Sequence, residues 1–337
     1  MNPHTTRATM TKQNQNSRGN TNTTATLTAT LALGLGILVA GCGPTFDPAS
    51  LINSTRVVAA RSEIEGAPDR ASPAPGETVN VTWLVTSPQA TPPLGWVFAV
   101  CAPATAGASG NAGPGCQDAP LATFEGTANP PRVSIAVPAA DALGTARDLV
   151  LYGEICAGVG STPTFDATTG IPTCTGGGGT TASITIPLQL TGETNHNPTA
   201  DRAFTLDGQA WPPSAPGGDP CLGGPRVSAG TDDHVIGNTT DGADRESYTA
   251  MVGDPPAPTP ARESLQISQF TTAGKLKSQF AFLEAADAAA ATIVDVKWNA
   301  PAAADVPAAG LAVTFTFVVR DNRGGTDWTT RAACVGP

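Results

Sequence analysis

The chain reads as an all-β protein of two β-sandwich domains behind an N-terminal export leader. Three observations point there. Short runs that alternate apolar and polar residues recur along its length, most of them bounded by Gly, Pro, Asn or Asp, as expected of strands in a sandwich. Glycine (37) and proline (31) are frequent while apolar residues still reach 40%, so there is enough apolar area to offset chain entropy within a turn-rich fold. No amphipathic helix of useful length lies between the runs, and 337 residues exceed the usual size of one domain, which favours two cores.

The leader comes first. Leu27 to Ala40 is apolar apart from small interruptions such as Thr28, Thr30, Gly34 and Gly36. A spanning helix needs about 20 apolar residues and a signal-peptide core about 7–15, so this run is the core of an export signal. Arg7, Lys12 and Arg18 precede it with no acidic residue, which sets its orientation; Met10 is an alternative start. The next residues, Val39-Ala40-Gly41-Cys42, resemble the lipobox of bacterial lipoproteins. That resemblance implies a signal peptide over 1–41 and a diacylglyceryl group on the thiol of Cys42, which then anchors the mature chain to a membrane. Each buried methylene of such an anchor contributes about 0.8 kcal/mol. By likeness to enterobacterial sorting, Gly43 in place of Asp implies the outer membrane.

The formal charge of the whole chain is −10, from 18 basic and 28 acidic residues. Loss of the three basic leader residues takes it to −13, with only Lys275, Lys277 and Lys297 as lysines. No clustered basic surface for phosphate exists in such a chain, so nucleic acid is excluded as a partner. Besides Cys42 there are six cysteines: Cys101, Cys116, Cys156, Cys174, Cys221 and Cys334. An even count in an exported chain implies three disulfides. Spacing suggests Cys101–Cys116, Cys156–Cys174 and Cys221–Cys334 among the 15 possible pairings. Zinc is the rival use, but the mature chain has only His196 and His234 and no Cys-x-x-Cys.

After a tether over 42–54, the first domain spans 55–192. Strands are expected at Arg56–Arg61, Glu77–Val85, Trp96–Cys101, Val133–Val137, Leu149–Cys156 and Ile184–Leu190. Val79, Val81, Trp83 and Val85 share one face. Thr191–Ala200 has no apolar period and reads as a linker. The second domain, 193–337, restarts the series at Ala203–Leu206, Leu265–Phe270, Gln279–Phe282, Ile293–Trp298 and Ala312–Arg320. The last of these pairs with Trp328–Val335 through Asp321-Asn322-Arg323-Gly324-Gly325, where a glycine supplies the positive φ of a bulged turn. Phe315, Phe317 and Val319 face the core. The alanine-rich Leu283–Ala291 is a loop or one helical turn.

Pro75-Gly76-Glu77-Thr78-Val79, the Trp96–Cys101 strand and Phe317 through Trp328 resemble a group of uncharacterised envelope lipoproteins of myxobacteria and related deltaproteobacteria. The hairpin is also similar to those of bacterial cadherin-like sandwich repeats. The resemblance implies immunoglobulin-like folds and a surface location, and no activity.

The candidate chemistry is sparse. Gly107-Ala108-Ser109-Gly110-Asn111 fails the nucleophile-elbow pattern at its last position, and Gly274-Lys275 lacks the rest of a phosphate-binding loop. With two distant histidines nothing supports a Ser-His-Asp triad, so no enzyme is expected. Asp232, Asp233, His234, Asp241, Asp244 and Glu246 form a polar cluster read as a loop. Ca²⁺ needs several oxygen ligands from a wrapping loop, so Asp232, Asp233, Asp241, Asp244 and Glu246 are its candidate ligands, although the spacing fits no EF-hand and a solvated acidic loop is the simpler reading. Asp321 and Asp327 flank the Gly-Gly turn, where a cation at a domain end is one reading and turn-stabilising chemistry the simpler one. Among the tryptophans, Trp83, Trp298 and Trp328 lie in strands as core residues. Trp96 and Trp211 adjoin Gly or Pro loops and are the better candidates for a glycan platform, although packing under a loop is the simpler use. Thus a lipid-anchored structural or recognition protein is expected, with a Ca²⁺- or glycan-binding module and an envelope hydrolase as the alternatives.

Overall fold

The computed structural model describes residues 47–101, 120–166, 170–214, 218–230, 233–287 and 291–337. Asp47–Pro337 forms one compact unit, and it is all-β. The first half contains β1 (Arg56–Ile64), β2 (Thr78–Thr86), β3 (Leu94–Cys101), β4 (Ala122–Gly126), β5 (Arg132–Ala136), β6 (Asp148–Ala157), β7 (Thr162–Asp166), β8 (Ile171–Thr175) and β9 (Gly178–Pro187). Sheet β1-β2-β5 packs against sheet β4-β3-β6-β9. Alternation explains which side chains meet: Val79, Val81 and Trp83 are fully buried and point at Phe98, Leu149 and Leu151. Trp83 stacks on Phe98 with ring centroids 3.9 Å apart.

The second half contains β10 (Phe204–Leu206), β11 (Gln209–Ala210), β12 (Arg226–Ser228), β13 (His234–Asp241), β14 (Ser247–Val252), β15 (Ala257–Arg262), β16 (Leu265–Thr271), β17 (Lys275–Leu276), β18 (Phe280–Leu283), β19 (Ala291–Asn299), β20 (Leu311–Asp321) and β21 (Thr326–Gly336). Sheet β11-β10-β13-β19-β17 faces sheet β12-β21-β20-β16-β18 over a core of Trp211, Trp298, Phe204, Phe315 and Phe317. Both sandwiches therefore use one strand order. β2 lies between β1 and β5 as β13 lies between β10 and β19, and β4-β3-β6-β9 is repeated as β18-β16-β20-β21.

Several expectations change. The segment around His234 is no loop: His234–Asp241 is a central strand, paired along its length with β19. Its charged ends hide an interior in which Ile236, Asn238 and Thr240 alternate inward. No helix appears in the described part of 283–291, where Leu283 ends β18. Trp96 and Trp211 are buried to 5% and 2% exposure, with their indole N–H groups donating to the carbonyls of Ala128 and Ala332. Neither ring is available as a surface platform.

The outer face of each four-strand set is apolar, and each is covered. In the first sandwich the hairpin β7–β8 lies over Ala99, Cys101 and Tyr152 through Phe165. Gly95 of β3 is needed for that approach, since a Cβ there would come within 2.7 Å of Pro163. The Cys156–Cys174 disulfide fastens β6 to the hairpin. In the second sandwich Phe270 and Val318, with part-buried Trp328, are covered by Ile52, Val58, Ala59 and Leu84 of the first. A register shift between Val57 and Ala59 interrupts the pairing of β1 with β2, and both Val58 and Ala59 pack into this contact. The tether expected through Ser54 is thus packed at Ser50–Ile52: Ile52 N–H donates to Thr271 O, and Thr271 N–H to Ser50 O.

Cys221–Cys334 closes a sequence separation of 113 residues. Cys101 is also disulfide-bonded, while its expected partner Cys116 lies outside the described residues, as does Cys42. In the chain-entropy picture a loop near 100 residues contributes about 4.7 kcal/mol. Replacing Cys221 and Cys334 together by Ser is expected to lower unfolding stability by about 3–5 kcal/mol in urea titrations, with both sandwiches still β-rich by circular dichroism. A second expectation follows from the covered outer face. Residues 197–337 expressed alone would expose Phe270, Val318 and Trp328, each worth about 1.5–3 kcal/mol when buried, and should melt well below the intact protein by calorimetry, on the order of 10 °C.

Candidate functional site

The two halves meet at a polar junction built by three pieces of chain. The first is 194–197, inside the stretch read as a linker. It is stitched to both sides: Ala71 N–H donates to Asn195 O (2.8 Å), Asn197 N–H to Asp69 O (2.7 Å) and Asn197 Nδ2 to Ser62 O (2.8 Å). On the other side, Thr326 N–H donates to Asn197 Oδ1 (2.9 Å), and Arg323 Nη2 to Thr194 O (3.0 Å).

The second piece is the β20–β21 turn. Asp321 accepts from the amides of Arg323 (2.7 Å) and Gly325 (2.8 Å), the turn chemistry expected of it. Gly324 takes a positive φ of 102°. Gly325 must lack a side chain, because a Cβ there would run into the Asp321 carboxylate and lie 2.8 Å from His196 O. Together these features aim Arg323 back into the junction.

The third piece brings Glu246, just before β14, and Glu263, just before β16. Arg323 Nη1 lies 3.1 Å from Glu263 Oε1 and 3.5 Å from Glu246 Oε2. Its guanidinium stacks 4.8 Å above the Tyr248 ring. Glu246 also accepts from the His196 backbone N–H (3.1 Å) and pairs with His196 Nδ1, while His196 Nε2 is 3.8 Å from Asp69. Two carboxylates, Glu246 and Glu263, therefore flank one guanidinium, and a third, Asp321, is held on the backbone amide of the same arginine. Glu263 is 1% exposed. Burial pushes its carboxyl up to about 7; the Glu246 N–H opposes this, and the charges of Asp321 and Glu246 reinforce it. Burial likewise raises Asp321, against the hydrogen bonds from the Arg323 and Gly325 amides. Beside the cluster lies a cleft of about 500 Å³ whose walls include Gln189, Asn195, Asn322 and Arg323.

The described Ca²⁺ candidates are not brought together. Asp232 lies outside the described residues. Asp233 pairs with Lys277 (3.4 Å) and Lys297 (3.3 Å) and accepts from Asn299 (2.7 Å). Asp244 holds Arg202 at 2.6 Å, and Asp241 accepts from the Ala243 amide at 2.9 Å. Glu246 belongs to the junction. Among the described residues no group of three His, Cys, Asp or Glu side chains is placed to hold a metal ion. Asp327 pairs with Arg61 and accepts from Ala200 N–H (2.9 Å), so it ties the sandwiches together.

Sequence reading missed Glu263 and the role of Arg323. Their partners are 60 and 77 positions away in the chain, so no local spacing marks them. The one available signal was a carboxylate directly ahead of the apolar strand Leu265–Phe270.

Removing Arg323 leaves a nearly fully buried carboxylate without its cation, a change of the kind that costs about 3–5 kcal/mol. Arg323→Ala is expected to destabilise the protein by about 2–4 kcal/mol at pH 8. In a double-mutant cycle followed by urea unfolding, Glu263→Gln should recover a substantial part of the loss. No protein-family model matches the chain, and no curated protein matches its sequence.

Proposed function

We propose that this is a lipid-anchored envelope protein with a structural or recognition role and no catalysis, presenting two immunoglobulin-like sandwiches as one body close to its membrane. The observation that carries this reading is the way the N-terminal end of the body is held. Seven residues, 43–49, separate Cys42 from the buried Ser50, at most about 25 Å of chain. Ser50–Ile52 is then clamped to Thr271 of the second sandwich. An anchor on Cys42 would thus hold both sandwiches near the bilayer and not on a long flexible stalk. The apolar leader, the lipobox-like Val39–Cys42 and the two disulfides support export to an oxidising compartment. The absence of Asp at position 43 supports the outer membrane. The shared strand order, with β1-β2-β5 against β4-β3-β6-β9, follows the Greek-key arrangement of immunoglobulin-type sandwiches.

Mass spectrometry of the mature N-terminus should find an acylated Cys42. Cys42→Ser should leave the precursor uncleaved and release it from the membrane fraction. A mature chain cut elsewhere and free of lipid would overturn the assignment.

A further inference from the structure

We propose that the junction is a proton-operated latch. With a proton on Glu263, Arg323 keeps the β20–β21 turn and residues 194–197 locked together; without it, the cluster of Glu263, Glu246 and Asp321 carries more negative charge than one guanidinium balances, and the two sandwiches loosen beside the cleft.

The geometry supplies the parts. Glu263 is enclosed by the amide of Glu246 (3.0 Å) and by Arg323, with Asp321 and Glu246 as its anionic neighbours. The remaining charged and titratable groups around it are His196 on Glu246, Asp69 beyond His196, and Tyr248 beneath Arg323. Glu193, whose carboxylate accepts from Thr249 N–H (3.0 Å), adds a further negative charge on the Arg323 side. Arg323 is also the group that closes the junction mechanically, because its other nitrogen holds Thr194 O and its carbonyl accepts from Asn195 Nδ2 (3.2 Å). Loss of its balance therefore reaches the segment that hydrogen-bonds to Ala71 and Asp69 of the first sandwich.

The sign follows from the carboxyl of Glu263. It titrates at about 7 when locked and at 4.5 when exposed, so the locked state holds a proton that the open state releases. Locking is then strongest at acid pH, weakens as pH rises from about 4.5 through 7, and is flat above. Between pH 5.5 and 8.5 the locked state should lose roughly 30-fold in its equilibrium with the open one.

Hydrogen exchange of the full exported chain in mild detergent, corrected for the intrinsic pH dependence of exchange, tests this. Peptides covering 194–197 and 321–326 should lose roughly 30-fold in protection between pH 5.5 and 8.5, while peptides from β3 and β6 hold theirs. Glu263→Gln should abolish that pH dependence. Asp321→Asn removes a neighbouring negative charge and guards against a misfolded Gln variant; it should move the transition to lower pH and shrink it. Junction protection that is flat in the wild type, that falls equally in Glu263→Gln, or that falls in step with the β3 and β6 peptides would overturn the latch.

Discussion

Two sheets in this protein are apolar on both faces, and most of its architecture follows from the need to cover the second face. An antiparallel sheet in a sandwich ordinarily turns one side to water. Here β3 is buried at all eight positions from Leu94 to Cys101, and β20 is buried from Phe315 through Val319. Leaving the outer face of either open would expose Tyr152 or Phe270, Val318 and Trp328 as contiguous apolar surface. The first sandwich supplies its own cover as the β7–β8 hairpin between β6 and β9. The second takes β1, β2 and Ser50–Ile52 of the first as its cover. Docking of the two halves is therefore part of the second half's folding problem.

A cover between two sandwiches leaves backbone and charge at its rim, and arginine is the residue used there. Arg320 donates to Val58 O across the contact (2.6 Å) and to Ser268 Oγ (3.1 Å). Arg61 pairs with Asp327 and lies 5.1 Å over Trp328, while Arg323 gathers the acids of the junction. A guanidinium can bond several carbonyls and carboxylates while stacking on a ring, which a lysine ammonium cannot do. This suits a chain with three lysines after its leader. Burying Glu263 among these groups, with the charges of Asp321 and Glu246 close by, also raises its carboxyl to about 7.

The strands with clean alternation were legible in the sequence. Val79, Val81 and Trp83 are fully buried as the period requires, Phe315 and Phe317 face the core, and Trp298 is fully buried. The Asp321–Gly325 turn takes its positive φ at Gly324. Strand β13 was obscured because acidic residues flank it and its buried positions include Asn238 and Thr240. The expected Ile184–Leu190 strand instead runs from Gly178 to Pro187, since two Gly and two Thr at its start carry no apolar period. The docking of the halves was hidden for a different reason. Val318 and Phe270 look like any strand residue, and only the unbroken run Phe317-Val318-Val319 hinted that β20 has no solvent side. Beyond the Asp321 turn the junction cluster was not legible, because the bonds that tie Arg323 and His196 to Glu246 and Glu263 span 50 residues or more.

The same need met twice also explains where the cross-links fall. A two-stranded hairpin has no core of its own and is marginal in water, so β7–β8 as a cover depends on the covalent bond from Cys174 to Cys156 on the sheet beneath. The segment from Trp211 to Pro225 has only one short 3₁₀ turn at Pro220–Leu222 among its described residues, and Cys221 pins that turn to Cys334 on β21, where β12 then pairs in parallel. The first sandwich, acting as cover for the second, has a full core behind it and arrives already rigid. Ordering it costs little chain entropy, so the apolar contact, hydrogen bonds and the Arg61–Asp327 ion pair suffice to hold it. The junction closed by reversible electrostatics is accordingly the one that a change of protonation can loosen, whereas the covers fastened by disulfides stay shut.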